Sequence, residues 1–178
     1  MENLNSIVRH RTSTAQHDSL LASTQSDRAR LIYSAAFRRL QQKAQVFSLE
    51  SNSSVRSRLT HSIEVSHIGR YIVARVLEKI AESEMPDETK KYWDIHSLSL
   101  SNIVETACLM HDIGNPPFGH FGEAAVSEWA ESVAQKDWFE SLFKDEGIRK
   151  SLTLDLTHFD GNPQGFRIIT KLQGDDGF

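Results

Sequence analysis

The chain has one cysteine, four prolines and no apolar run that approaches the length of a membrane span. A lone thiol, Cys108, closes no internal disulfide, which suits a reducing compartment, and the protein is expected in the cytoplasm. Its neighbours from Ile103 to Met110 are mostly apolar, so Cys108 reads as a buried thiol and not as a nucleophile. The first residues lack a basic stretch followed by an apolar one, so no secretory signal is read there. Strand signals are weak throughout, no internal repeat is visible, and no Gly-rich Lys-Ser/Thr loop marks a Walker-type nucleotide site.

What is present is an ordinary globular composition, 39% hydrophobic and 25% charged, over 178 residues. That length suits one domain with a genuine core. The net charge of −4 hides an asymmetry, because residues 1–70 are basic and the remainder is acidic. Most of the basic residues are arginines: Arg28, Arg30, Arg38, Arg39, Arg56, Arg58 and Arg70. Guanidinium forks suit phosphate, although most of these read as a solvated helix face. Arg58 is set apart because it stands three residues before His61.

Residues 1–25 are rich in Ser, Thr and Gln and read as a flexible N-terminal arm, with residues 26–178 as the folded domain. A helix is predicted after Ser26-Asp27, with Leu31, Ala35, Ala36-Phe37 and Leu40 on its apolar side. From Ser57 the pattern is strongly helical, and His61, Val65, Ile68, Ile72 and Val76 are predicted to share an inward face. This helix should fade around residues 81–86 into an acidic linker, Glu82 to Asp94. A second helix is predicted over about Ser101 to Ile113, stopped by Gly114 and Pro116-Pro117. A third runs from His120 to about Gln135, with Phe121, Ala125, Trp129 and Val133 spaced by four. The fold class is all-α.

The chemistry concentrates at His111-Asp112-Ile113-Gly114-Asn115-Pro116-Pro117-Phe118-Gly119-His120, followed by Glu123. A lone His on an apolar helix, such as His61, is most often a core residue with a hydrogen-bond partner. An adjacent His-Asp pair at a helix end is different. Its carboxylate faces the negative end of the helix dipole, where it is disfavoured unless a cation compensates. Imidazole and carboxylate are ligands for divalent cations. His61, His111 and Asp112 therefore form a candidate open metal site, and His120 and Glu123 are neighbours on the next helix.

These residues carry a resemblance to the HD superfamily of metal-dependent phosphohydrolases. Further segments resemble the N-terminal portion of bacterial dGTP triphosphohydrolases. They are Ser26-Asp27-Arg28, the run from Phe37 to Phe47, Arg58-Leu59-Thr60-His61-Ser62, His111 to Glu123, and His158-Phe159-Asp160-Gly161-Asn162-Pro163-Gln164-Gly165. Ala35 and Ala44 depart from the pattern, where the family often has Pro and Thr.

The resemblance implies an HD-domain helical bundle that hydrolyses dGTP or related dNTPs to deoxynucleoside and tripolyphosphate. It implies His61, His111 and Asp112 as metal ligands, with Mn²⁺ or Mg²⁺ as the ion and Fe²⁺, Co²⁺, Zn²⁺ or Ni²⁺ able to occupy the same donors. His120 and Glu123 are implied in catalysis, with acid, base and transient nucleophile all open for His120. Gln45 is implied near the deoxyribose, Arg58 and Asn115 near phosphate. A homo-oligomer, single-stranded DNA as an effector and no membrane association complete the set. The family's fourth ligand, a distal Asp, is expected beyond Phe178, so the chain reads as a partial HD domain with low activity alone. The alternatives are another HD phosphohydrolase, acting on deoxynucleoside monophosphates or signalling nucleotides, and a non-catalytic nucleic-acid-binding module.

Overall fold

The computed structural model describes residues 15–44 and 56–172. Gln45 lies outside the described residues, as do most of the N-terminal arm and the end of the chain. Among the described residues there is no β-strand, only an isolated antiparallel bridge between Ala44 and Ser57. The all-α expectation is met by α1 (Leu20–Tyr33), α2 (Ala35–Arg39), α3 (Arg58–Glu82), α4 (Asp87–Ile95) and α5 (Ser97–Met110). These are followed by α6 (His120–Ala134), α7 (Asp137–Leu142), α8 (Glu146–Thr157) and α9 (Gly161–Arg167).

Serine caps place the early breaks. Ser19 Oγ accepts from the Ala22 N–H, so α1 starts at Leu20, ahead of the Ser26-Asp27 pair and inside the stretch read as an arm. Ser34 accepts from the Phe37 N–H and splits the single predicted helix into α1 and α2. Ser57 does the same for α3 through the Thr60 N–H. The predicted linker after α3 holds a further helix, α4, which starts with Asp87 and Glu88 at its positive end. The second predicted helix begins at Ser97 and ends at Met110.

The core is small and lies behind the His-Asp turn. Leu31, Phe37 and Leu40 pack with Leu109 and Ile113, and Leu59, Met110 and Ile168 close over them. α3 and α1 both pack on α5, while α6 packs on α8. The inward face of α3 is not the aliphatic stripe read from the sequence. Its buried residues are Arg58, Ser62, Ser66, Gly69 and Val73, whereas Ile68, Ile72 and Val76 are about half exposed. Small side chains decide this. A Cβ on Gly69 would stand 2.6 Å from Cys108 Sγ and 3.2 Å from Val104 Cγ1, so only a near-bare helix surface lets α5 approach. α6 departs in part: Val133 of its predicted row is buried, along with Ala130, while Phe121 and Trp129 stay exposed.

Glu105 is buried at the junction of α1, α3 and α5, with Arg28 Nη2 at 2.8 Å on one oxygen and Arg70 Nη1 at 2.7 Å on the other. Burial alone would raise its pKa, but hydrogen bonds from Arg28 and Arg70 outweigh it, and the carboxyl is held below the ordinary glutamate value. Two of the sequence's arginines therefore neutralise an internal carboxylate, and Arg56 pairs with Glu64 at 3.0 Å.

Candidate metal centre and active site

Three chain segments meet at the site. The first turn of α3 supplies Arg58 and His61, the residues just past α5 supply His111 and Asp112, and the turn into α6 leads to His120. Gly114 was expected to stop the second predicted helix. α5 ends earlier, at Met110, and Gly114 has no positive φ. It serves by lacking a side chain: a Cβ there would stand 2.0 Å from the Gly165 nitrogen and 2.1 Å from the Gly161 carbonyl oxygen. Phe118 (φ 67°) and Gly119 (φ 57°) turn the chain into α6. Left-handed geometry at a bulky residue stores roughly 1–3 kcal/mol of strain.

His61, His111 and Asp112 each present one ligand atom, and these atoms all lie within 4.8 Å of one another. The two imidazoles meet edge to face, with ring centroids 5.4 Å apart. His111 Nδ1 lies 2.7 Å from the Cys108 carbonyl oxygen, which can only accept. Nδ1 is therefore the donor, which leaves Nε2, 3.5 Å from Asp112 Oδ1, as the nitrogen turned toward the cluster.

Asp112 is buried, and its two oxygens differ. Oδ1 accepts from Asn115 Nδ2 at 2.6 Å. Oδ2 faces Arg58 Nη1 at 3.1 Å, close enough for charge pairing, yet it receives no hydrogen bond. A buried carboxylate oxygen with an unused lone pair, beside two imidazoles with free nitrogens, suits a divalent cation. The donor set fits the metal expected from the resemblance.

Sequence reasoning placed Arg58 and Asn115 near phosphate. The structure brings both to the site, each engaged with Asp112, and Arg58 is almost wholly buried. Both line an open pocket of about 420 Å³ with Phe118, His120 and Phe121. His120 Nδ1 lies 2.6 Å from Glu123 Oε2, and the His120 ring is 98% exposed whereas Glu123 is 14% exposed.

Three contributors went unread. Lys43 Nζ donates to the Asn115 carbonyl at 2.7 Å, and the Lys43 carbonyl accepts from the Arg58 N–H at 2.8 Å. Burial, then the Arg58 charge, push the Lys43 ammonium below the ordinary lysine range, against the pull of Asp112. The Cys108 carbonyl orients His111, and the Gly161 N–H donates to Glu123 Oε1 at 2.9 Å. Lys43 and Gly161 both sit in segments that carried the family resemblance. Their contributions pass through backbone atoms, which residue type does not reveal.

Among the described residues no helix is long and apolar enough to cross a membrane. The chain is 45% identical over 173 residues to a deoxyguanosinetriphosphate triphosphohydrolase of Salmonella typhimurium, covering 86% of this chain and 34% of that protein. Proteins of the same name from Klebsiella pneumoniae and Enterobacter sp. (strain 638) are 42% and 43% identical, over 86% and 90% of this chain. The chain spans about a third of the length of these curated relatives. The HD domain family model matches residues 58–161, a stretch that opens on Arg58 and closes on Gly161 and so contains the whole histidine and aspartate cluster. More than half of the chain lies within that match, and the chain belongs to the HD domain family.

Proposed function

We propose that this protein belongs to an enzyme that hydrolyses dGTP or a related dNTP to deoxynucleoside and tripolyphosphate. The observation that carries the reading is the convergence of His61, His111 and Asp112 beside a pocket that also presents the His120–Glu123 pair. Similarity to proteins named deoxyguanosinetriphosphate triphosphohydrolase supports the choice of substrate.

One ring nitrogen each of His61 and His111 and a carboxylate oxygen of Asp112 would hold a divalent cation, Mn²⁺ or Mg²⁺ in this reading. Such a cation supplies Lewis acidity at a phosphoryl oxygen and lowers the pKa of a water. The protein's own residues do the rest. Arg58 and Lys43 place positive charge beside the pocket, where a triphosphate needs it. With Glu123 on Nδ1, His120 keeps Nε2 for moving a proton at the reacting centre. In the reaction, a water oxygen bonds to the α-phosphorus, the bond to the deoxyribose 5′ oxygen breaks, and a proton goes to that leaving oxygen. Gln45 would lie near the sugar. Homo-oligomerisation, single-stranded DNA as an effector and a cytoplasmic location belong to the same proposal.

The test is product analysis. Purified protein with dGTP and Mn²⁺, followed by phosphorus NMR, should give tripolyphosphate and no dGMP. Release of pyrophosphate or orthophosphate from dGTP, or hydrolysis of dGMP in preference to dGTP, would instead assign the site to another phosphohydrolase activity.

A further inference from the structure

The segment from His158 to Gly165 takes no part in the chemistry above, yet it presses directly on the site. Asp160 caps α9 by accepting from the Asn162 N–H at 2.8 Å. The Gly161 N–H, one of the amides that a helix start leaves unpaired within the helix, points instead at Glu123. Gly161 is buried, and a Cβ on it would stand 2.1 Å from Asn115 Oδ1 and 2.9 Å from Glu123 Oε1. A side chain there would displace Asn115 or Glu123.

The order of constraint follows from exposure. The His120 ring is almost fully in solvent, so packing does not orient it; its bond to Glu123 Oε2 does. Glu123 is mostly buried, and its other oxygen is held by Gly161. We infer that Gly161 is the positioning residue of the His120–Glu123 pair: its N–H anchors the Glu123 carboxylate, which holds His120 as the Nδ1–H tautomer with Nε2 open to the pocket. The same glycine abuts Asn115, which donates to Asp112, so one backbone position braces both halves of the site. This inference rests on the phosphohydrolase reading for the use made of His120, while its geometry stands without it.

The experiment reads the imidazole itself. Long-range ¹H–¹⁵N NMR of labelled protein at about pH 8, above the ordinary imidazole range, should show His120 as the Nδ1–H tautomer. Gly161→Ala should mix the tautomers and, because its Cβ also meets Asn115 beside Asp112, should weaken Mn²⁺ binding as well. Where dGTP turnover is measured, its kcat should fall roughly ten- to hundredfold at a KM within about twofold. Gly165→Ala is the control, because a Cβ there meets nothing nearer than the Gly114 nitrogen at 3.4 Å, and it should leave the tautomer alone. If Gly161→Ala folds poorly, hydrogen exchange of the Gly161 amide decides: it should be slow in the wild type and fast in Glu123→Ala. An Nε2–H tautomer in the wild type overturns the inference, as does an unchanged tautomer in folded Gly161→Ala or a fast-exchanging Gly161 amide. An intact tautomer pattern in a protein that does not release tripolyphosphate upholds the clamp and overturns only the proposed reaction.

Discussion

At the scale of single residues, the site divides into the His61, His111 and Asp112 cluster and the His120–Glu123 pair. Asp112 combines burial, an oxygen without a hydrogen bond and two facing imidazoles. Asp112→Ala should therefore remove bound Mn²⁺, measured by metal analysis after gel filtration, and turnover with it. His120→Ala should keep the metal, because His120 lies outside the ligand cluster, while turnover falls about 10²- to 10⁴-fold. Loss of metal from His120→Ala would show that its role has been misassigned. The convergence of His61, His111 and Asp112 was legible in the sequence, since an adjacent His-Asp pair at a helix end has few other uses. Lys43 and Gly161 were not. They act across 72 and 38 positions, on or through main-chain atoms, and nothing in local spacing announces such contacts.

At the scale of elements, α5 is held from two sides by charge and close packing. Glu105 joins α5 to α1 through Arg28 and to α3 through Arg70. Its carboxyl pKa is depressed in the folded chain, so the unfolded chain binds the extra proton as pH falls below the ordinary value of 4.5. The stability it contributes is present above that value and is lost as pH drops through the folded pKa. Glu105→Gln should cost roughly 1–3 kcal/mol at neutral pH, the scale of hydrogen bonds to charged groups, with the half-exposed arginines keeping it toward the low end. Its urea-unfolding free energy should also change less with pH below 4.5 than that of the wild type. Equal pH slopes in the two proteins would remove Glu105 from the account.

Helix starts marked by Ser57 and by His120 could be read in advance because a cap or a chain-breaking turn precedes each. The face of α3 could not. Periodicity reports where apolar side chains fall, whereas α5 selects the Ser62, Ser66 and Gly69 seam because it is narrow. α4 escaped notice because most of its nine residues are charged and none is fully buried.

At the scale of the whole molecule, the core and the metal cluster share a wall. Leu109 and Ile113 pack against Leu31, Phe37 and Leu40, and Asp112 stands between them in sequence. A cation that binds the folded cluster and not the unfolded chain must raise global stability by mass action, by about 2.7 kcal/mol at a hundredfold excess over Kd. Mn²⁺ titration should accordingly raise Tm by several degrees in the wild type and leave Asp112→Ala unmoved. An equal rise in both would place the ion elsewhere.

Cys108 gives this architecture an internal gauge. Its sulfur lies against Gly69 of α3, where a Cβ would stand 2.6 Å away, and its carbonyl steers His111. Burial, with the Glu105 charge adding to it, pushes the thiol up and keeps it slow to ionise. An alkyl group added to this sulfur would crowd Gly69 and strain the backbone whose carbonyl accepts from His111. Chemistry at an inert-looking sulfur would thus be felt at the histidine and aspartate cluster.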